Sequence, residues 1–148
     1  MKRLTATGLA CACLAACLSV LPSTAALLSK TFVFQPGATL DVGADVEPGV
    51  RIDTVRFLLP ASDENGIQRT SGHVQAEVAI SNTGTTSRRI GIALALFDEA
   101  GRLLAVASGG DTVFPLKAAR QGVYTLTFDR VNAEAAATTR FQISVETR

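Results

Sequence analysis

The sequence predicts an all-β fold, an antiparallel sandwich of seven to nine strands, from three observations. After residue 29 the chain is a succession of short β-prone runs separated by Pro, Gly, Asn and Asp. Residues 73–81 alternate apolar and polar side chains as a half-buried strand does, and residues 90–97 begin a second such run after the Asn82-Thr83-Gly84 break. No amphipathic segment of helix length interrupts the series. With 148 residues the chain has the length of one domain, and 47% hydrophobic content is enough for its core.

The N-terminus is set apart. Met1-Lys2-Arg3 followed by an uncharged run rich in Ala, Leu and Cys has the basic and apolar regions of an export signal. Ser23-Thr24-Ala25 and Thr24-Ala25-Ala26 offer the small residues read by a signal peptidase, so residues 1–26 are assigned to a signal peptide and 27–148 to a single sandwich domain. Leu14-Ala15-Ala16-Cys17 resembles the lipobox of bacterial lipoproteins and provides a second reading, with cleavage before Cys17 and a lipid on that cysteine. A third reading is an uncleaved anchor over residues 4–28. Each places the domain outside the cytoplasm, in the periplasm or cell envelope.

Composition narrows the function further. All three cysteines (Cys11, Cys13 and Cys17) fall in the leader, so the domain is expected to have no disulfide, thiol nucleophile or thiolate metal ligand. Removing Lys2 and Arg3 from the fourteen basic residues leaves twelve against thirteen acidic ones. That balance gives no net attraction to nucleic acid, and tryptophan, the strongest stacking platform, is absent. Membrane association is expected only through a lipid or an uncleaved N-terminus.

The strands follow in order. Residues 30–35, with Phe32, Val33 and Phe34, form a first strand closed by Pro36-Gly37, and residues 39–42 a short second one. Glu47-Pro48-Gly49 is a turn. Residues 50–59 form a longer strand, with Val55, Phe57 and Leu59 on one face and Ile52 and Leu58 on the other. Residues 61–71 are a polar loop. Val74, Ala76, Val78 and Ile80 then face the core, and Glu77 pins the register, because a one-residue slip would bury it. In the next strand Ile90, Ile92, Leu94 and Leu96 face inward, while the opposite row is Gly91, Ala93, Ala95 and Phe97, without a charge.

Asp98-Glu99-Ala100-Gly101 is a hairpin turn leading into residues 102–108, which are apolar on both sides. Gly109-Gly110-Asp111 ends that strand, residues 112–116 suit an edge because of Pro115, and residues 117–122 are a loop. Residues 123–128 place Tyr124, Leu126 and Phe128 on one face. Residues 132–138 are expected to make one helical turn, and residues 140–147 a last strand with Phe141, Ile143 and Val145 inward.

The run from Ala79 to Gly84, the strand ending Leu96-Phe97-Asp98, Gly101 after its turn, residues 116–122, and the strand closing on Leu126-Thr127-Phe128 together resemble the FxLYD-like, immunoglobulin-like domains of exported bacterial proteins. The likeness spans residues 72–145, and Phe97-Asp98 lacks the tyrosine of the family's name. The resemblance implies an immunoglobulin-like sandwich serving as an extracytoplasmic interaction or structural module, with no catalytic residues to carry over.

Chemistry-bearing residues are few. His73 is the only histidine and is expected at a surface strand end, without partners for catalysis or metal binding. Asp63-Glu64-Asn65-Gly66 and Asp98-Glu99 with Gly101 hold oxygen ligands but lack the spaced carboxylates of a calcium loop. Ser62, Ser71, Ser81, Ser87 and Ser108 lack a nucleophile-elbow context, Gly109-Gly110 has no phosphate-loop lysine after it, and Arg88-Arg89 reads as a soluble turn. The expectation is therefore no catalytic residues, no cofactor and no metal.

The uncharged row of Gly91, Ala93, Ala95 and Phe97 is the candidate protein interface, and its partner is expected to be another envelope protein. Internal cover by residues 30–35 and 50–59 is the competing account, favoured because a bare apolar patch on an exported monomer promotes aggregation. Two further functions stay open: a pilus or fibre subunit exchanging residues 30–35 between copies, and a small secreted hydrolase.

Overall fold

A computed structural model describes residues 25–60, 73–111, 114–129 and 134–148. Among these residues eight strands form two antiparallel four-stranded sheets. They are β1 (Ala26–Val33), β2 (Thr39–Glu47), β3 (Val50–Leu58), β4 (Val74–Asn82), β5 (Ile90–Phe97), β6 (Leu103–Gly110), β7 (Arg120–Phe128) and β8 (Arg140–Thr147). Sheet I has the order β1-β8-β5-β6 and sheet II the order β2-β3-β4-β7. The predicted antiparallel sandwich is what the chain forms, within the expected strand number.

The alternation predicted for β4, β5 and β8 holds along their lengths. Val74, Ala76, Val78 and Ile80 of sheet II face Ile90, Ile92, Leu94 and Leu96 and Phe141, Ile143 and Val145 of sheet I, all of them buried. Each large side chain removed from water this way contributes about 1.5–3 kcal/mol, which is what drives the two sheets together. Phe57 is the hub of the aromatic part of the core, with ring centroids 4.7 Å from Phe34, 4.9 Å from Phe141 and 6.4 Å from Phe128, in edge or tilted arrangements.

β3 departs from the predicted parity. Ile52, Val55 and Phe57 all point inward, because a register shift between Ile52 and Thr54 inserts one extra residue. Leu58 is half-buried and Leu59, expected to share the face of Val55 and Phe57, is exposed. β2 runs to Glu47 instead of ending at residue 42, with two irregularities in its pairing to β3. β7 begins at Arg120, inside the predicted loop, and residues 134–137 form a 3₁₀ turn where a helical turn was expected. The polar loop, with Asp63-Glu64-Asn65-Gly66, Ser62 and Ser71, lies outside the described residues, as does Cys17.

The largest revision concerns the N-terminal strand. It spans 26–33 instead of 30–35, and it lies in sheet I, at the edge beside β8, in an unbroken register from Ala26 opposite Thr147 to Val33 opposite Arg140. Lys30 shares its row with Leu28 and Phe32, which pack against the core, yet it is exposed. A lysine on the core-facing row of an edge strand discourages another strand from adding there. After β1 the chain crosses to sheet II through residues 34–38, held by Phe34 N–H to the Thr139 carbonyl (2.9 Å) and Gly37 N–H to the Phe57 carbonyl (3.0 Å).

Candidate interaction surface

β5 is an interior strand of sheet I, bonded to β6 on one side and β8 on the other. Its inner row is taken up by the core, so Gly91, Ala93, Ala95 and Phe97 are presented on the outside of the sheet. Gly91 is exposed and the other three are half-buried. The favoured expectation of internal cover is corrected here. β1 lies in the same sheet, on the far side of β8, and β3 packs in the opposite sheet, so among the described residues no strand lies over this row.

Register identifies the surroundings. Across to β6, Gly91 meets Gly110, Ala93 meets Ser108, Ala95 meets Val106 and Phe97 meets Leu103. Leu103 and Val106 are exposed, and neither row holds a charge. On the β8 side the row is Glu146, Ser144, Gln142 and Arg140, and beyond it a polar lattice ties β8 to β1. Gln142 Nε2 donates to Ser29 Oγ (2.7 Å), and the Ser29 and Ser144 hydroxyls lie 3.0 Å apart. Sheet I therefore carries an apolar strip over β5 and β6 flanked by a polar one. A shallow depression of about 300 Å³, bounded by Leu27, Gly91, Ala93, Gly109, Ser144 and Glu146, marks where the small residues leave room.

Sheet II is different outside. Arg56, Glu77 and Thr125 align across three strands, as do Leu58, Gln75 and Thr127. Asp53 accepts a hydrogen bond from Ser81 Oγ (3.0 Å) and another from Gln121 Nε2 (2.9 Å). Among the described residues, apolar side chains there are confined to Leu58, Ala79 and Val123.

The β5–β6 hairpin is closed by Asp98. It accepts from Arg102 N–H (2.8 Å) and Arg102 Nε (2.7 Å), and its own N–H donates to the Arg102 carbonyl (3.1 Å). The backbone bond from Arg102, with the guanidinium behind it, holds the Asp98 carboxyl below the usual range. Gly101 sits at φ 80°, where a side chain would be strained. These carboxylate oxygens are engaged by the turn itself. His73 stands at the start of β4 with Nδ1 3.9 Å from Asp129, both side chains largely exposed. Ser81 is at the far end of the same strand, roughly 26 Å away at strand rise, so these two do not meet.

Two polar anchors were not legible as such. Asp111, after β6, accepts from Ile90 N–H (3.0 Å), Leu116 N–H (3.2 Å) and Tyr124 O–H (3.1 Å), stapling β5, the β6–β7 connection and β7 together. Burial, with the adjacent Asp111 charge and hydrogen bond, pushes the Tyr124 hydroxyl pKa up, so it stays a donor. Gly110 comes so close to the Ile90 carbonyl that a Cβ would collide with it, which accounts for the second glycine of the pair before Asp111. Asn82, fully buried, donates to the Thr86 and Leu116 carbonyls (2.9 and 3.1 Å) and accepts from Gly84 N–H (3.0 Å). The Asn-x-Gly spacing signals that turn, but nothing local announces the contact to Leu116.

Among the described residues no group of three or more His, Cys, Asp and Glu side chains is arranged to hold a metal, and no helix is long and apolar enough to cross a membrane. No protein-family model matches the chain, and no curated protein resembles it in sequence.

Proposed function

We propose that this chain is an exported binding module of the cell envelope that docks a partner protein on the outer β5–β6 strip of sheet I. The observation that carries this reading is the uncharged row of Gly91, Ala93, Ala95 and Phe97 beside the exposed Leu103 and Val106, with no strand over it among the described residues. Small side chains let another backbone or a flat apolar surface approach closely, while Phe97, Leu103 and Val106 supply area to bury. The leader-like N-terminus and the immunoglobulin-like resemblance support an envelope location.

Ala93→Arg tests it. The arginine points away from the core, so the melting temperature should hold within a degree or two while crosslinking in the intact envelope, read by mass spectrometry, loses the partner. Unfolding of the variant would mean that this face is covered from within. Retention of the partner would remove the strip from the interface.

A second reading is a fibre-type subunit that lends β1 to its neighbour. Among the described residues β1 bonds to β8 alone and holds no fully buried side chain, so an exchanged copy has mainly the packing of Leu28 and Phe32 against the core to restore. The domain has no cysteine of its own, and Thr31 lies opposite Gln142. A Thr31→Cys/Gln142→Cys pair therefore reports the arrangement. Disulfide-linked ladders on oxidation support exchange, whereas a monomer closed on itself opposes it.

A further inference from the structure

We propose that the end of the sandwich at which the chain enters β1 is a docking surface for an anionic phospholipid bilayer, adjoining the β5–β6 strip at Leu27. Although the domain is nearly neutral overall, its charges are sorted along the strand axis. Ala26 lies beside Thr147, and Thr147 beside Ile90, so the start of β1, the end of β8 and the start of β5 share one rim. Arg89 and Arg148 exchange backbone hydrogen bonds there (2.9 and 3.0 Å), Arg88 bridges to Leu116, and Arg120 stands opposite Asn82 with Lys117 shortly before it. Five cations thus meet at one end.

The acids of that rim do not cancel them all. Glu47 holds Arg88 (2.7 Å), Glu146 holds Arg148 (2.6 Å), and Asp111 is occupied by the two N–H groups and the Tyr124 hydroxyl. Arg89, Lys117 and Arg120 are exposed and, among the described residues, have no carboxylate within ion-pair distance. The opposite end holds Asp98, Glu99 and Asp129 together with Arg102 and Arg140.

Apolar side chains accompany the charge. Phe114, in the β6–β7 connection at this rim, is 80% exposed, and Leu27, one residue into β1, is 71% exposed. They are the two most exposed large hydrophobic residues described. An aromatic side chain projecting among unpaired Lys and Arg is the combination that settles at the headgroup boundary, with the ring entering the acyl edge and the cations meeting phosphates. Geometry adds a third argument. Whatever precedes Ala26 leaves from this same end, and a lipid on Cys17, nine residues upstream, would hold the rim within about 30 Å of the bilayer. Surface and tether would then act on the same face, and the surface would act without the lipid as well.

The absence of tryptophan makes the test clean, since Phe114→Trp introduces the one such fluorophore. With the processed protein, adding vesicles of phosphatidylcholine containing about one-third phosphatidylglycerol should shift the emission of this single indole to the blue, and about 1 M salt should reverse the shift. Pure phosphatidylcholine vesicles should leave it unchanged. Arg89→Glu/Lys117→Glu/Arg120→Glu in the same background, with melting checked, should weaken binding roughly a hundredfold. Flotation of the unsubstituted protein with both vesicle types, read for a salt-sensitive preference between them, keeps the test should Phe114→Trp misfold. Emission and flotation indifferent to lipid charge, or a triple variant that binds as well as its parent, would overturn the proposal. A shift with polyglutamate but not with vesicles would assign the rim to an acidic protein instead and equally overturn the bilayer.

Discussion

The two outer faces of this sandwich are built on the same rule and finish differently. Both sheets commit every second residue to a shared core, but outside it sheet II presents Arg56, Glu77 and Thr125 in line, with Asp53 bonded to Ser81 and Gln121, while sheet I presents Gly91, Ala93, Ala95 and Phe97 beside Leu103 and Val106. A half-buried antiparallel sheet needs only one apolar face. The second apolar face on β5 and β6 lies outside that core, and it is the observation from which a docked partner is proposed.

The comparison can be broken first at the core that both faces share. Phe57→Ala removes the ring that joins Phe34, Phe128 and Phe141 across the sheets and should cost about 3–5 kcal/mol, lost from both sheets in one cooperative transition in a denaturant melt. Two transitions would show that the sheets are stabilised separately. Next comes Asp111→Ala, which orphans the Ile90 N–H and the Tyr124 hydroxyl near the start of the β5–β6 strip and leaves the Leu116 N–H only its bond to the Arg88 carbonyl. A loss of about 2–3 kcal/mol is expected by the same assay.

Smaller effects separate the faces themselves. Asp53→Ala drops two hydrogen bonds on sheet II and should cost about 1 kcal/mol, whereas Ala95→Ser on sheet I should change stability by less than about 0.5 kcal/mol. Equal costs would erase the distinction. Acid should act selectively on the hairpin of sheet I. The Asp98 carboxyl titrates below its ordinary value of 3.8 in the folded protein, so its contribution is complete above that value and is lost as pH falls through the lower folded value. Amide exchange at residues 98–102 should quicken in that range in the parent, and Asp98→Asn should exchange fast at neutral pH already.

Most of the inward rows were legible, because alternation is a local property. Val74 to Ile80, Ile90 to Leu96 and Phe141 to Val145 each announce their buried side within one strand, and Glu77 marks the outer one. β3 was misread because its extra residue near Asp53 changes parity midway, and only pairing with β4 reveals it. Pairing also hid the position of β1. Ala26 finds Thr147 across more than a hundred residues, and no short-range pattern says whether an N-terminal strand joins a sheet or lies over it.

The candidate surface was half legible for the same reason. Four uncharged residues at period two could be named, but not whether a strand lay over them or that Leu103 and Val106 extend them. The basic rim was invisible in a balanced composition, since Arg88, Arg89, Lys117, Arg120 and Arg148 gather only when three separate chain segments meet at one level.

A photo-crosslinking residue placed at Ala95 on sheet I, and in a second strain at Ala79 on sheet II, tests the central claim most directly. Both positions are half-buried outer sites on interior strands, so they differ chiefly in the face they report. Irradiation of intact cells should give a discrete higher-mass adduct from position 95 and none from position 79. No adduct at 95, or adducts of equal yield at both positions, would contradict the assignment of the β5–β6 strip as the docking surface.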